Sequence, residues 1–323
     1  MDALARKRSL IGHVVSATLV ITLLKVGLVA GDAHPFDYSA GPYGPDNWGK
    51  YYKTCSGKFQ SPINIDQHDV LQVKFPSLRF HGFQEELNDV TIVNNGHTVM
   101  LSLSEEDSSR IKVSGGPLKG KYVFTQLHFH WGSNDSMGSE DSINNQSFPM
   151  ELHMVFWKES YGSYKKALDH HDGLTVLAFF YEIVAFPNHS YKHLINVLHK
   201  MESNGSRITT SAPSLDSMLS HDRIHYFTYH GSLTTPPCNE IVIWIDFIDP
   251  IPLSHAQVEK FRKLIDQNHR PTQPLGDRTI HFNLGPGEHL VSEALSESYP
   301  LEPTSLFMYL FISIFHLILN TLR

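Results

Sequence analysis

Two short stretches place imidazoles where they could hold a metal. In Gln126-Leu-His128-Phe-His130-Trp131 two histidines stand two residues apart, and in Glu151-Leu-His153-Met-Val155 a third follows a carboxylate at the same spacing. On a strand, residues two apart share a face, so Gln126, His128 and His130 point one way while Leu127, Phe129 and Trp131 pack on the other. Glu151, His153 and Val155 share a face by the same rule. Catalytic zinc commonly takes three protein ligands and leaves a fourth position for water, and a ligating imidazole usually gives its second ring proton to a carboxylate or amide. Gln126 and Glu151 stand where such partners are needed. The chemistry on offer is a Lewis acid that brings the pKa of a bound water to about 7 and so supplies hydroxide at neutral pH. With 21 His in 323 residues, about one His-x-His is expected by chance, so that pair alone carries little. His189 and His193, and His221 and His225, stand four apart without the Glu of a metalloprotease helix and read as surface or capping residues.

The order His128-x-His130, Glu151-x-His153 resembles the zinc site of the α-carbonic anhydrases, in their extracellular, membrane-anchored form. Other segments resemble the same family in the same order: Gln60-Ser-Pro-Ile-Asn-Ile65, Asn94-Asn-Gly-His97, Trp131-Gly-Ser, Gly138-Ser-Glu140, Asp172-Gly-Leu, Ser232-Leu-Thr-Thr-Pro-Pro237, Glu240 with Trp244, and Arg270-Pro-x-Gln-Pro274. The resemblance covers nearly the whole central region. It implies reversible hydration of carbon dioxide to bicarbonate and a proton, with Zn2+ as cofactor and the zinc hydroxide as nucleophile. It also implies a role for each matched residue. Gln126, Glu151 and Asn268 would orient the ligands. Thr234 would accept the proton of the nucleophile and donate its own to Glu140, with Thr235 lining the same site. Val155, Val176, Leu233, Val242 and Trp244 would form the apolar wall that carbon dioxide needs, although such side chains fill any β core. His97 would carry the proton away, a task suited to a group titrating near neutral pH. Asn95 and Tyr38 would order the water chain, Tyr38 with a one-residue shift from the usual spacing to Trp48. Sulfonamide-type inhibitors are expected to bind. Two departures stand out: Asp141 where many members carry His, and Met100 where a polar residue is common. Both are expected to change rate and inhibitor affinity rather than to abolish the activity. The alternative is a catalytically silent relative used for binding at the cell surface; a zinc hydrolase of esters or peptides would need a general-base motif that is missing.

The segments that must position these residues read as strands. Residues 90–93, 122–131, 152–157, 174–184 and 241–248 are rich in β-branched and aromatic side chains. Helical periodicity appears at 191–201 and at 254–268, where Ser254 can cap and Val258, Phe261, Leu264 and Ile265 form a stripe. The predicted fold is mainly β (α+β): one domain with a large, twisted, mostly antiparallel central sheet and short peripheral helices.

The flanks read differently. Arg6, Lys7 and Arg8 precede an uncharged stretch at 14–24, and small residues follow at Gly27, Ala30, Gly31 and Ala33, the layout of an export signal over residues 1–30, with an uncut signal anchor as the alternative. The domain is placed at 31–290. A polar spacer at 291–304 then leads to an apolar segment at 305–323, read as the signal for a glycosylphosphatidylinositol (GPI) anchor or as a single transmembrane helix. Either reading puts the protein on the outer face of the plasma membrane. An exported chain with two cysteines, Cys55 and Cys238, most simply forms one disulfide, and the resemblance places a disulfide there as well. Asn134, Asn145, Asn188 and Asn204 each open an N-glycosylation sequon. The net charge of -7 and the absence of a basic block in the body of the chain argue against nucleic-acid binding. A monomer is expected.

Overall fold

A computed structural model describes residues 35–285 together with Gly287 and Glu288. The chain divides into two units, Met1–His34 and Pro35–Arg323. The export signal and the C-terminal spacer and anchor segment read from the sequence lie outside the described residues.

In chain order the strands are β1 (Asn64–Ile65), β2 (Leu71–Val73), β3 (Arg79–His81), β4 (Leu87–Asn94), β5 (Val99–Ser102), β6 (Lys112–Gly115), β7 (Leu118–Trp131), β8 (Ser142–Ile143), β9 (Met150–Lys158), β10 (Leu174–Val184), β11 (Arg207–Ala212), β12 (Tyr226–Gly231), β13 (Val242–Ser254) and β14 (His281–Asn283). Twelve of them form one sheet, ordered β11-β4-β5-β7-β9-β10-β13-β12-β14-β2, with β3 and β6 paired alongside β7. Strands β1 and β8 pair by themselves. Most neighbours are antiparallel, as the sequence implies, but β10 and β13 at the centre run parallel. A parallel pair needs a crossover and is buried on both faces, which is why β10 is an unbroken apolar run from Leu174 to Tyr181 apart from Thr175.

Alternation along the long strands separates the two faces. Leu127, Phe129 and Trp131 of β7 and Leu152, Met154 and Phe156 of β9 join the larger core. The opposite face carries the histidines and a smaller cluster with Val155, Val176, Val242 and Trp244. The predicted strands all lie within or coincide with observed ones, save that β13 begins one residue later than expected and continues to Ser254.

The helices are short, and two are shorter than their periodicity predicts. His255–Arg262 starts with the expected cap, a capping box in which Gln257 answers Ser254. It ends six residues early because the chain is drawn onto β7: Trp131 Nε1 donates to Ile265 O at 2.8 Å, and Trp131 N donates to Asn268 Oδ1 at 2.7 Å. The 191–201 segment is a 3-10 turn followed by helix Lys192–Leu198. Helix Glu105–Arg110 escaped the periodicity argument because it buries no apolar face; it rests on Ser104, whose side chain accepts from Asp107 N, and on an acidic first turn. Among the described residues no helix is long and apolar enough to cross a membrane.

Candidate active site

Pairing of β7 with β9 brings the three histidines together. His128 and His153 are partners across the two strands, and His130 faces Glu151. Each of the three rings offers one nitrogen, and these nitrogens lie within 4.8 Å of one another. The other nitrogen of every ring is engaged. His128 Nδ1 lies 2.9 Å from Gln126 Oε1, His130 Nδ1 2.8 Å from the Asn268 carbonyl, and His153 Nε2 2.7 Å from Glu151 Oε1. All three partners are acceptors, so those nitrogens carry the protons and the opposite ones are left with free lone pairs. His130 Nε2 is buried without a hydrogen-bond partner among the described residues, a costly state unless a ligand takes it. Burial holds His128 and His130 well below the usual imidazole range and pushes His153 down to about 3, so the rings are neutral at physiological pH, the form that binds metal. Three neutral imidazoles with oriented protons fit a zinc site that keeps a fourth position open.

Behind the histidines lies a buried acidic turn. Gly138 enters it at φ +145°, and a Cβ there would meet the Pro149 carbonyl and the Gly132 nitrogen at 2.1 and 2.2 Å, so the close approach requires glycine. Glu151 then clamps the turn: its Oε2 accepts from the backbone nitrogens of Glu140 at 2.7 Å and Asp141 at 3.0 Å. Glu140 Oε1 accepts from Arg270 N at 2.8 Å. Burial pushes the Glu140 carboxyl well up, while the neighbouring Thr234 hydroxyl and the bond from Arg270 N draw it back; Glu140 Oε2 itself is buried without a hydrogen-bond partner among the described residues.

The loop bearing Thr234 and Thr235 is tied down by residues that the sequence motifs single out. Arg270 donates through one guanidinium nitrogen to Gln60 Oε1 at 3.0 Å and to Ser61 O at 2.7 Å. Gln60 Nε2 donates to Glu240 Oε1 at 2.9 Å and to Cys238 O at 3.2 Å. Trp244 Nε1 reaches Ser232 O at 3.1 Å. Cys55 and Cys238 are disulfide-bonded across 183 residues of sequence. Closing so long a loop restricts the unfolded chain, so replacing both cysteines by Ser is expected to lower stability by roughly 2–5 kcal/mol. Chemical denaturation of the oxidised parent and the double variant checks this; coincident curves would contradict it.

The apolar residues expected beside the metal also come together. Val155, Val176, Val242 and Trp244 are buried in one cluster, with Leu233 packed against it, and the Trp244 ring lies 4.8 Å from that of His153. His97 sits in the turn between β4 and β5. Asn95 Oδ1 accepts from His97 N and Thr98 N, so Asn95 shapes that turn. Asn268 Nδ2 donates to His97 O at 2.9 Å, joining this turn to the residue that holds His130. Tyr38 packs edge-on against Trp48, and burial, with a smaller contribution from the Glu140 charge, pushes its hydroxyl well above the usual phenol range. Met100 is the β5 partner of His128.

Asn134, Asn145 and Asn204 are exposed, whereas Asn188 is half-buried and donates through Nδ2 to Pro252 O at 3.0 Å. Sequence reasoning missed Phe36, which stacks on His97 with ring centroids 4.0 Å apart; a single aromatic outside any motif gave no signal. It also missed Asp246, the one charged residue in the apolar stretch 241–248 of β13, a signal that was available.

Comparison with known proteins points one way. A family model described as eukaryotic-type carbonic anhydrase matches residues 43–284. Human carbonic anhydrase 6 is 35% identical over 277 residues, covering 82% of this chain and 88% of that protein. Mouse carbonic anhydrase 7 is 40% identical over 250 residues, covering 73% of this chain and 93% of that protein.

Proposed function

The chain belongs to the eukaryotic-type carbonic anhydrase family, and from that premise we propose that it reversibly hydrates carbon dioxide at a zinc ion held by His128, His130 and His153. One observation carries the reading: three imidazoles converge with one nitrogen each fixed by an acceptor and the opposite nitrogens within 4.8 Å of one another, His130 Nε2 without a hydrogen-bond partner among the described residues.

Zinc, when bound, supplies the Lewis acidity that brings the pKa of a water ligand to about 7. The chain's own residues do the rest. Gln126, the Asn268 carbonyl and Glu151 fix the tautomer and direction of each ligand. Thr234 gives its hydroxyl proton to Glu140 and therefore presents only lone pairs to the nucleophile, which turns the nucleophile's own lone pair toward the substrate. Thr235 borders the same site. Carbon dioxide, apolar and small, rests on Val155, Val176, Leu233, Val242 and Trp244. A sulfonamide anion fits the same open position.

The proton leaves through His97, with Tyr38 and the Asn95 turn bordering its path. Burial lowers the His97 pKa, partly offset by Asp37, and Phe36 covers one ring face. Replacing His97 by Ala is expected to lower kcat by about 10²-fold in weak buffer and to leave kcat/KM for carbon dioxide almost unchanged, with imidazole buffer restoring turnover. An equal loss in every buffer would remove His97 from this role.

Stopped-flow hydration by the purified domain, alongside its zinc content, tests the whole reading. Near one zinc per chain with fast hydration supports it; bound zinc without hydration leaves the silent, binding relative instead.

We further propose that the chain is exported, cleaved near residues 30–33 and lipid-anchored through its C-terminal segment as a monomer. The Cys55–Cys238 disulfide supports an oxidising compartment. Release from membranes by a phosphatidylinositol-specific phospholipase supports the lipid anchor; retention supports a transmembrane helix. Asn134, Asn145 and Asn204 are the sequons open for glycans.

A further inference from the structure

In the middle of β13 stands a carboxylate that no described residue satisfies. Asp246 is fully buried, and neither of its oxygens has a hydrogen-bond partner among the described residues. An ionised carboxylate left so is among the most costly groups a core can hold. The register says what it faces. Asp246 is the partner of Phe227 on β12 and of Ala178 on β10, and Trp244, next on the same face, is the partner of Tyr229. The Tyr229 hydroxyl lies 3.0 Å from Asp141 Oδ1, and the charges of Asp141 and Asp246 both act on it, so the register and the electrostatics put the two acids in one neighbourhood around this tyrosine. Asp141 is also fully buried. Its Oδ1 takes two close donors, Tyr229 and Ile63 N at 2.7 Å, whereas Oδ2 among the described residues has only the tyrosine hydroxyl at 3.4 Å.

We propose that Asp246 is a neutral carboxylic acid whose proton is held against Asp141, and that this proton-sharing pair is a positioning device for the Glu140–Asp141 turn. A proton between the two side chains turns a repulsion into a hydrogen bond and gives Asp141 Oδ2 its donor. The surroundings favour it. Burial first, then the charges of Asp141 and Glu151, push the Asp246 carboxyl well above the usual range. The pair also feels Glu140, next to Asp141 in the chain, and Tyr229 and Arg278, the last drawing Asp141 toward its ionised form. Burial and the charge of Glu151 push Asp141 up as well, but its Oδ1 already takes the Ile63 and Tyr229 donors and Asp246 has none among the described residues, so Asp141 is the acceptor and Asp246 the donor. The anchored Asp141 holds the turn on Ile63 and Tyr229 while Glu151 holds it from the histidine side. Only the positioning half rests on the proposed hydration activity.

Infrared difference spectroscopy of the zinc-loaded protein at neutral pH, parent against Asp246→Asn, tests the pair, with circular dichroism to verify folding. A carboxylic-acid carbonyl band that shifts in D2O, is absent from Asp246→Asn and moves to higher frequency in Asp141→Asn is the expected result. No such band in the parent, or a band that persists in Asp246→Asn, overturns the proposal. Positioning is read from kcat: Asp246→Leu, which has no donor, is expected to lose at least about tenfold with KM unchanged, and Asp246→Asn, which keeps a donor, to recover most of it. Equal losses would remove the positioning role. If the leucine variant does not fold, the asparagine spectrum still decides the pair. If the parent itself does not hydrate carbon dioxide, the functional reading fails while the infrared result stands.

Discussion

Replacing His130 by Ala is expected to abolish both zinc retention and carbon dioxide hydration. Of the three proposed ligands, His130 and His153 are buried, and His130 has its Nε2 free with no other group among the described residues to use it. Removing it leaves two imidazoles, and water would fill the space of the third. Two neutral ligands bind zinc far more weakly than three that are already oriented. The loss is double, because Asn268, whose carbonyl holds the His130 ring, also supports the His97 turn. Metal content after dialysis against a chelator should fall from about one per chain to near zero, and hydration by on the order of 10⁶-fold, to the uncatalysed rate. A variant that keeps its zinc and turns over rapidly would show that the cluster is not the metal site.

Much of this site can be read in the sequence because strand alternation is a two-residue rule. His128 and His130, two apart on β7, and Glu151 and His153, two apart on β9, had to share faces once those stretches were strands. Which strands pair, and in what register, is not local information. The sequence placed Gln126 and Glu151 as partners of the ligands, but that Asn268 acts through its backbone carbonyl follows from the path of the chain after residue 262. The parallel pairing of β10 with β13 is equally non-local, since an apolar run reads the same beside either kind of neighbour. Helix length at 254–268 was overestimated for a related reason: Leu264 and Ile265 do pack on the core, but from a turn pinned to Trp131 rather than from a continuing helix. Asp246 shows the converse. A lone acid in a buried strand is visible in the sequence, yet its meaning depends on Asp141, more than a hundred residues away.

Changing Glu140 to Gln should leave zinc in place and still lower kcat/KM by roughly 10²–10³-fold, or about 3–4 kcal/mol of transition-state stabilisation. The two side chains are nearly identical in size, so the effect is one of hydrogen-bond polarity. One oxygen of Glu140 accepts from Arg270 N, and a glutamine would keep that bond with its own carbonyl oxygen. Its amide nitrogen would then face Thr234, whose hydroxyl draws the Glu140 carboxyl down and is proposed to donate to it. A hydroxyl receiving a proton from the amide must turn its own proton outward, toward the nucleophile. Thr234 would donate where it should accept, and the lone pair meant for carbon dioxide would be occupied. Replacing Thr234 by Val removes the same orientation by another route, so the double variant should be little worse than either single one, as expected for residues acting as a unit. Measured zinc content near one per chain separates this outcome from ligand loss. A Glu140→Gln enzyme within about threefold of the parent, well short of the loss that removing such a contact brings, would mean that the nucleophile is oriented by something other than this pair.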